Sequence, residues 1–507
     1  MRLPLAASLQ GSAVCEPLRW PPTPLTRRAD MRPGTIRNGM SRIGARLTGG
    51  PGRRTAADAP TDAPTEAPVA PGRVPLAGHA PRIHRDAPGF FRELRHHGAV
   101  TKIYIGPRQV HAVNSHEIVR ELLTVQARAF DKGAMFDALR VPLGDGLITA
   151  AGDRHLRHRR LMQPAFHHDR IAGYARIMSE RSLARAAVWE PGTTLDLVPE
   201  IHRLTLDILL RTLFADPQDP ELRTAVKDWL SVKYHSMRLA LSPLQAWAER
   251  LPLPAGWRPP HAGPLRRLVA VQHRIIETYR ADGRDRGDLL SVLLAAGGPD
   301  GGLTDAEVTD ELITLFLAGT GTVSASLAWA LHEISRRPDV QRRIHDELDA
   351  VLAGRPPGFE DLPALVYTRQ VLTEVLRLHP PSWLLMRRAV RPVTLGGVRL
   401  SRGAEVFFSP YALHRDPQLY ENQDDFDPER WSHDAAAKAP RHTYLPFGAG
   451  SRMCIGEDFA WTELTLALAA FTAHRRLTPA GSIPVRTLVG TVLRPDRLPL
   501  TAHARPS

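Results

Sequence analysis

Phe447-Gly-Ala-Gly-Ser-Arg-Met-Cys-Ile-Gly456 is the stretch on which the fold turns. Its glycines, Gly448 and Gly456 among them, let the backbone turn tightly and approach a flat partner molecule. Cys454 opens an apolar run through Ala460 and Phe471, so the pattern predicts a helix from about Cys454 to His474. A thiol at a helix N-terminus meets free N–H groups and the positive end of the dipole, which favour thiolate, the form that ligates metals. Arg452 stands two residues earlier, with a planar guanidinium able to grip a carboxylate through two parallel bonds. A buried cysteine on a glycine-rich loop is the plain alternative, and the loop alone does not exclude it.

Upstream lies a second informative stretch. Thr304-Asp-Ala-Glu307 reads as a capping box. The helix it opens runs to about Arg337, before Pro338, roughly 33 residues and roughly 50 Å at 1.5 Å per residue. Its middle reads Phe316-Leu-Ala-Gly-Thr-Gly-Thr-Val323. Ala318 and Gly319 are small enough to leave room beside the backbone. Gly319 and Gly321 each weaken a helix by about 1 kcal/mol, so a local bulge is expected there.

The rest of the chain frames these two stretches. Residues 1–70 read as a tail rich in Pro, Arg, Ala and Thr, with ten Arg up to Arg54 against Glu16 and Asp30. It is either an organelle-type transit segment or the product of a start set too early, with Met31 or Met40 as the true start. Lys102-Ile-Tyr-Ile and Gln109-Val-His-Ala-Val form a hairpin across Gly106-Pro107. Helical segments dominate from Asp153 to about Leu378. Strands return between Arg391 and Leu400, with Gly396-Gly397 as the turn, then from Ala404 to Phe408 and from Leu488 to Leu498. The expected fold is mainly α with small β-sheets, an α+β arrangement in one large domain over residues 71–505.

Composition sets outer bounds. The net charge of +13 is carried by Arg, since only five residues are Lys. A basic tail with ordinary surface charge accounts for it better than nucleic-acid binding. Two cysteines, Cys15 and Cys454, cannot build a disulfide framework over 507 residues, so a reducing cytoplasm is the expected location. No run of about 18 consecutive apolar residues predicts a membrane span. A monomer is expected.

The loop from Phe447 to Gly456 resembles the haem signature of the cytochrome P-450 superfamily at every defined position. Three further motifs follow that family's order. Glu374-Val-Leu-Arg377 precedes Pro380-Pro381, and Phe426-Asp-Pro-Glu-Arg430-Trp431 supplies a second arginine. The resemblance implies a structural Glu374–Arg377–Arg430 cluster behind haem b. Gly152-Asp-Arg-His155-Leu-Arg-His-Arg159 resembles the helix over one propionate, with His155 where many members have Trp. His155 can donate one hydrogen bond there and Arg159 can bring charge. Within Pro380–Arg388, Arg387 rather than Arg388 is the expected further propionate arginine. The resemblance makes Cys454 the axial iron ligand. It makes Thr322 the residue that handles dioxygen and relays protons, beside Ala318 and Gly319.

One position departs from the pattern. An acid normally precedes the threonine, and this chain has Gly321. Ordinary monooxygenation with water filling the gap is expected. Altered proton delivery supports an alternative, a peroxide-driven or non-oxidative haem-thiolate enzyme. A catalytically silent haem-binding sensor is the reading from another class, and Thr322 argues against it. Phe130-Asp-Lys-Gly-Ala-Met-Phe136, Gly144-Asp-Gly-Leu147 and Gln163-Pro-Ala-Phe-His167 resemble terpene-modifying bacterial members. They imply a small apolar substrate, with Met135, Phe136, Leu315, Leu384 and Met386 as candidate walls. With no flavin or nicotinamide domain attached, the resemblance implies O2 as oxidant, with a ferredoxin and its reductase as electron donors. An acidic ferredoxin would suit Arg441 and Arg452.

Overall fold

Alternating stretches on both sides of a long helical region sort themselves into a sheet and a helical body. The computed structural model describes residues 66–215, 219–240, 262–296, 301–432, 443–482 and 484–505. The tail to residue 65, Cys15, Met31, Met40, Lys438 and Arg441 lie outside the described residues.

Short helices α1 (Ala80–Arg85) and α2 (Ala87–Glu93) precede strands β1 (Val100–Ile105) and β2 (Arg108–Val113), then α3 (His116–Arg120) and β3 (Phe130–Asp131). The helical body follows. It comprises α4 (Ala134–Leu143), α5 (Gly152–Met162), α6 (His168–Ala187), β4 (Thr194–Asp196), α7 (Leu197–Leu213), α8 (Pro220–Ala240), α9 (Ala262–Asp282) and α10 (Leu289–Ala295). Then come α11 (Asp305–Ser335), α12 (Pro338–Leu352) and α13 (Val366–Leu378). Strands β5 (Leu385–Ala389), β6 (Val393–Leu395), β7 (Val398–Leu400) and β8 (Glu405–Phe408) return to the sheet, followed by α14 (Pro410–Leu413). The last elements are α15 (Glu457–Ala473), β9 (Arg475–Pro479), β10 (Thr487–Val489), β11 (Leu493–Pro495) and β12 (Pro499–Ala504).

The expected hairpin pairs antiparallel, Val100 opposite Val113. It extends into a five-stranded sheet ordered β1-β2-β8-β5-β3, in which only β2 and β8 run parallel. Strand β5 was not read from the sequence. Residues 67–70, counted with the tail, pack onto this sheet: Ala70 N donates to Lys102 O at 2.9 Å, and Ala67 and Ala70 are buried.

Helix α11 is the axis of the body. Thr304 Oγ1 accepts from Glu307 N at 3.2 Å while the Glu307 carboxylate accepts from Thr304 N at 3.0 Å, so the capping box forms as read. The helix spans 31 residues and is apolar around its whole girth, with Leu312, Phe316, Leu327, Leu331 and Ile334 buried. It alone among the described helices is long and apolar enough to cross a membrane, and 78% of that window is buried within the protein. The bulge expected near Gly319 and Gly321 is absent. Thr320 and Thr322 instead turn their hydroxyls back onto the carbonyls of Phe316 (2.5 Å) and Ala318 (2.7 Å), and the α-helix runs through.

Candidate active site

The 447–456 loop lies directly before α15, and local bonds set its shape. Phe447 O accepts from Cys454 N at 2.9 Å, closing the loop on itself. Gly450 has φ +71°, and a Cβ there would lie 2.0 Å from Leu123 O, so no other residue fits. Gly448, at φ +72°, has open space where a Cβ would stand. Phe447 packs on Trp461 with ring centres 5.7 Å apart.

Cys454 lies two residues before the α15 N-cap, Gly456, rather than within the helix. Its sulfur is accessible, yet burial pushes the thiol up to about 11. An accessible but desolvated sulfur belongs to a recess, not to the outer surface. The Gly456 N–H and Arg159 pull the thiol down, whereas Glu457 and Asp458 in the first turn of α15 push it up. The expected pull of a helix N-terminus towards thiolate appears here as the Gly456 N–H, and burial, Glu457 and Asp458 act against it. Coordination to a metal would deprotonate the thiol outright.

Around the other rim of the recess the charges are lopsided. Lys132, His155, Arg387 and Arg452 perturb one another through space; Asp131 is the carboxylate that Lys132, Arg387 and Arg452 share, and Glu311 acts on Lys132 as well. Arg452 Nη2 pairs with Asp131 at 2.5 Å, while its Nη1 is buried without a partner. Half of the expected fork is thus already taken. Arg387 is buried and gives Nη1 to Met386 O at 2.7 Å. Arg388 points elsewhere, to Asp137 at 2.6 Å. His155 is buried, and desolvation with the four neighbouring cations drops it to about 3, so it is a neutral ring with one N–H to give. Arg159 donates to Met453 O at 2.6 Å, placing its charge beside Cys454 while it also acts on His155.

Lys132 was missed by sequence reasoning. Its Nζ donates to Leu147 O (2.6 Å) and Ala150 O (2.8 Å), and burial lowers it to about 7. The signal was in view, in Phe130-Asp-Lys-Gly133, but without a partner to give it a role. A neutral His, three cations, one carboxylate and an orphaned guanidinium N–H suit the paired carboxylates of a haem edge. A single recessed Cys, with no cluster of three or more His, Cys, Asp or Glu among the described residues, suits an axial thiolate. The residues present fit haem b.

Glu374, Arg377 and Arg430 do come together. Arg377 Nε and Nη2 reach Glu374 at 2.8 and 2.7 Å, and both side chains are fully buried. Arg430 Nε stands 3.4 Å from the same carboxylate. His414 links this cluster to the loop, giving Nδ1–H to Arg377 O (3.2 Å) and accepting from Leu445 N (2.8 Å).

On α11, Ala318 is exposed although Thr314, Leu315, Phe316 and Thr320 around it are buried. Thr322, one turn on, shares its face. Gly319 faces α7 instead: a Cβ there would come within 3.1 Å of Leu209 Cδ1, so its smallness serves helix packing. Gly321 is buried. Met135 and Phe136 are partly buried and pack against both the sheet-side and the helix-side cores.

Comparison with known proteins agrees with this construction. The Cytochrome P450 family profile matches residues 68–497. The chain is 40% identical to a cyclooctatin synthase of Streptomyces melanosporofaciens, over 89% of this chain and 97% of that protein. It is 39% identical to the pentalenene oxygenase of Streptomyces avermitilis, over 86% and 97%. It is 38% identical to a cyclooctat-9-en-7-ol 5-monooxygenase of S. melanosporofaciens, over 87% and 95%. The fold superposes on a cytochrome P450DA haem domain with a TM-score of 0.77 at 25% identity, covering 87% of this chain and 98% of that one. A recessed cysteine on a glycine-rich loop, a closed Glu–Arg cluster behind it and a cationic rim beside it make this chain a haem-binding monooxygenase of the cytochrome P450 family.

Proposed function

We propose that the protein oxidises a small terpenoid hydrocarbon or terpenoid alcohol. The observation that carries this reading is the likeness, over almost the full length, to three Streptomyces proteins whose names specify pentalenene, cyclooctat-9-en-7-ol and cyclooctatin. Apolar Met135, Phe136, Leu315 and Leu384 offer walls for such a molecule. Bound haem supplies the chemistry that inserts one atom of dioxygen into a C–H bond.

This chain's residues do the rest. Cys454 would give the haem its thiolate ligand, and Phe447, Gly448 and Gly456 shape the loop that carries it. Arg387, Lys132, the free Nη1 of Arg452 and the neutral N–H of His155 would hold the two propionates, and Arg159 keeps a positive charge beside the sulfur. Thr322 holds a proton at Oγ1, and Ala318 leaves space beside it. Electrons come from a ferredoxin and its reductase, in the cytoplasm.

The experiment is direct. Purified holoprotein is supplied with ferredoxin, ferredoxin reductase and NADPH, and offered pentalenene or cyclooctat-9-en-7-ol. An oxygenated product is expected. Binding spectra for both with product from neither would overturn the terpenoid reading and favour the silent sensor. Product with hydrogen peroxide alone, at an undiminished rate, would favour the peroxide-driven reading, for which Gly321 is the supporting observation.

A further inference from the structure

Two sequence stretches, Phe130–Phe136 and Gly144–Leu147, have so far no role beyond likeness. They flank α4, and the backbone of this segment is held by acids from distant elements. Glu405 Oε1 on β8 accepts from Ala134 N at 3.0 Å, where α4 has no side-chain cap of its own. Asp310 Oδ2 on α11 accepts from Asp145 N at 2.9 Å, and Glu311 Oε2 from Leu147 N at 3.0 Å. Arg388, cross-strand from Glu405, pairs with Asp137 in the first turn of α4.

The glycines of these stretches are the sockets for those acids. A Cβ on Gly133 would lie 2.5 Å from Glu405 Oε2 and 2.9 Å from Met386 Sδ. One on Gly144 would lie 1.9 Å from Asp310 Oδ1. One on Gly146 would lie 2.5 Å from Thr314 Oγ1, a single turn before the exposed Ala318. Burial raises the Glu405 and Asp310 carboxyls, and the N–H groups of Ala134 and Asp145 draw them back down. Buried Glu405 and Glu311 and half-buried Asp310, spent on the backbone of one segment, fix its position at both ends.

We propose that Glu405 and Asp310 are positioning residues for substrate selection: they fix the pose of α4, and so the wall that Met135 and Phe136 present to a bulky apolar substrate. This rests on the apolar-substrate reading above. Neither acid touches the substrate. They act through the two ends of the segment that carries the wall.

The test compares two nitrogen ligands on the holoprotein, imidazole and 4-phenylimidazole, titrated by their visible spectra. On this proposal the phenyl ring reaches the wall and imidazole alone does not. Glu405→Ala and Asp310→Ala are each expected to weaken 4-phenylimidazole about fivefold or more while imidazole stays within about twofold. Glu405→Gln, which keeps an oxygen for Ala134 N, is expected to restore the ratio. Amide hydrogen exchange of peptides across 133–147 is expected to quicken in the alanine variants, with α15 unchanged. If Glu405→Ala does not load haem, Asp310→Ala and the exchange data carry the test.

Phe136→Ala separates the two ideas. If it leaves the ligand ratio unmoved, the wall reading fails. If it moves the ratio and neither acid variant does, the positioning role fails. Equal weakening of both ligands by the acid variants, or a Gln variant no better than Ala, would also overturn the proposal.

Discussion

Two buried charge clusters flank the 447–456 loop, and they differ in how their charges are balanced. The Glu374 cluster is closed. Glu374 accepts from Arg377, Asp427 N, Arg430 and Trp431, and the remaining Arg377 donors go to His414 O, Gln423 O and Asp425 O. The rim cluster of Lys132, Arg387 and Arg452 is open, with Asp131 as its carboxylate and Arg452 Nη1 left over. A closed cluster spends its charge on the fold. An open one stores unfavourable charge that an anionic ligand relieves. The same residue types therefore mark scaffold in one place and binding site in the other.

The largest effect should follow from opening the closed cluster. Glu374→Ala strands a fully buried Arg377 and is expected to cost about 3–5 kcal/mol, the usual penalty for breaking a buried pair. Urea unfolding of the haem-free protein should show the loss, and little haem-loaded protein should be recovered. If Glu374→Ala kept wild-type stability, the contrast between the clusters would be wrong.

Removing a charge from the open cluster should do the reverse. Arg387→Met is expected to leave the haem-free protein as stable or more so, since a like charge has gone. Haem loss to apomyoglobin should quicken roughly 10- to 100-fold, the worth of a charged hydrogen bond of about 1.5–3 kcal/mol. A variant that lost stability as Glu374→Ala does, and kept its haem, would place Arg387 among the scaffold residues.

Acid–base behaviour sharpens the same point. Burial and the nearby arginines lower Lys132 to about 7, whereas an unfolded lysine keeps its proton to about 10.4. Between those values the unfolded chain binds more protons. Stability of the haem-free protein should therefore rise with pH from about 7 to about 10.4, by up to about 1.4 kcal/mol per pH unit from this group. Below pH 7 the penalty is fully present. Lys132→Met should flatten the slope. An unchanged slope would mean that Lys132 keeps its proton in the folded state.

How much of this could be read in advance depended on whether a residue's partners were local. The capping box at Thr304 and the hairpin at Gly106 are short-range patterns, and each forms as read, whereas the helix read from about Cys454 begins only at Glu457. The Glu374–Arg377 pair is spaced three apart on one helix face, so its contact was legible too. Asp131, Lys132, Glu405 and Asp310 were not, because their long-range partners lie between 15 and 321 residues away and share no period with them. Cys454 shows a subtler limit. Its place near a helix start was visible, but its recess and the opposing Glu457 and Asp458 reversed the expected effect on the thiol. Gly319 likewise was read for the oxygen site, whereas its contact with Leu209, which would meet an added Cβ, was not legible.

Arg430 carries the smallest expected effect and the finest test of closure. Its Nε lies 3.4 Å from Glu374 Oε1, longer than any other bond in the cluster. Glu374 keeps two Arg377 bonds, Asp427 N at 3.0 Å and Trp431 Nε1 at 2.8 Å without it. Removing Arg430 therefore leaves neither Glu374 nor Arg377 without a partner. Arg430→Ala should cost about 1 kcal/mol in urea unfolding, near the value of one ordinary hydrogen bond. The pair Glu374→Ala and Arg430→Ala together should cost scarcely more than Glu374→Ala alone, because the second bond has already gone. Full additivity would mean that Arg430 stabilises the loop through some contact other than Glu374, and that the cluster is less closed than its hydrogen bonds imply.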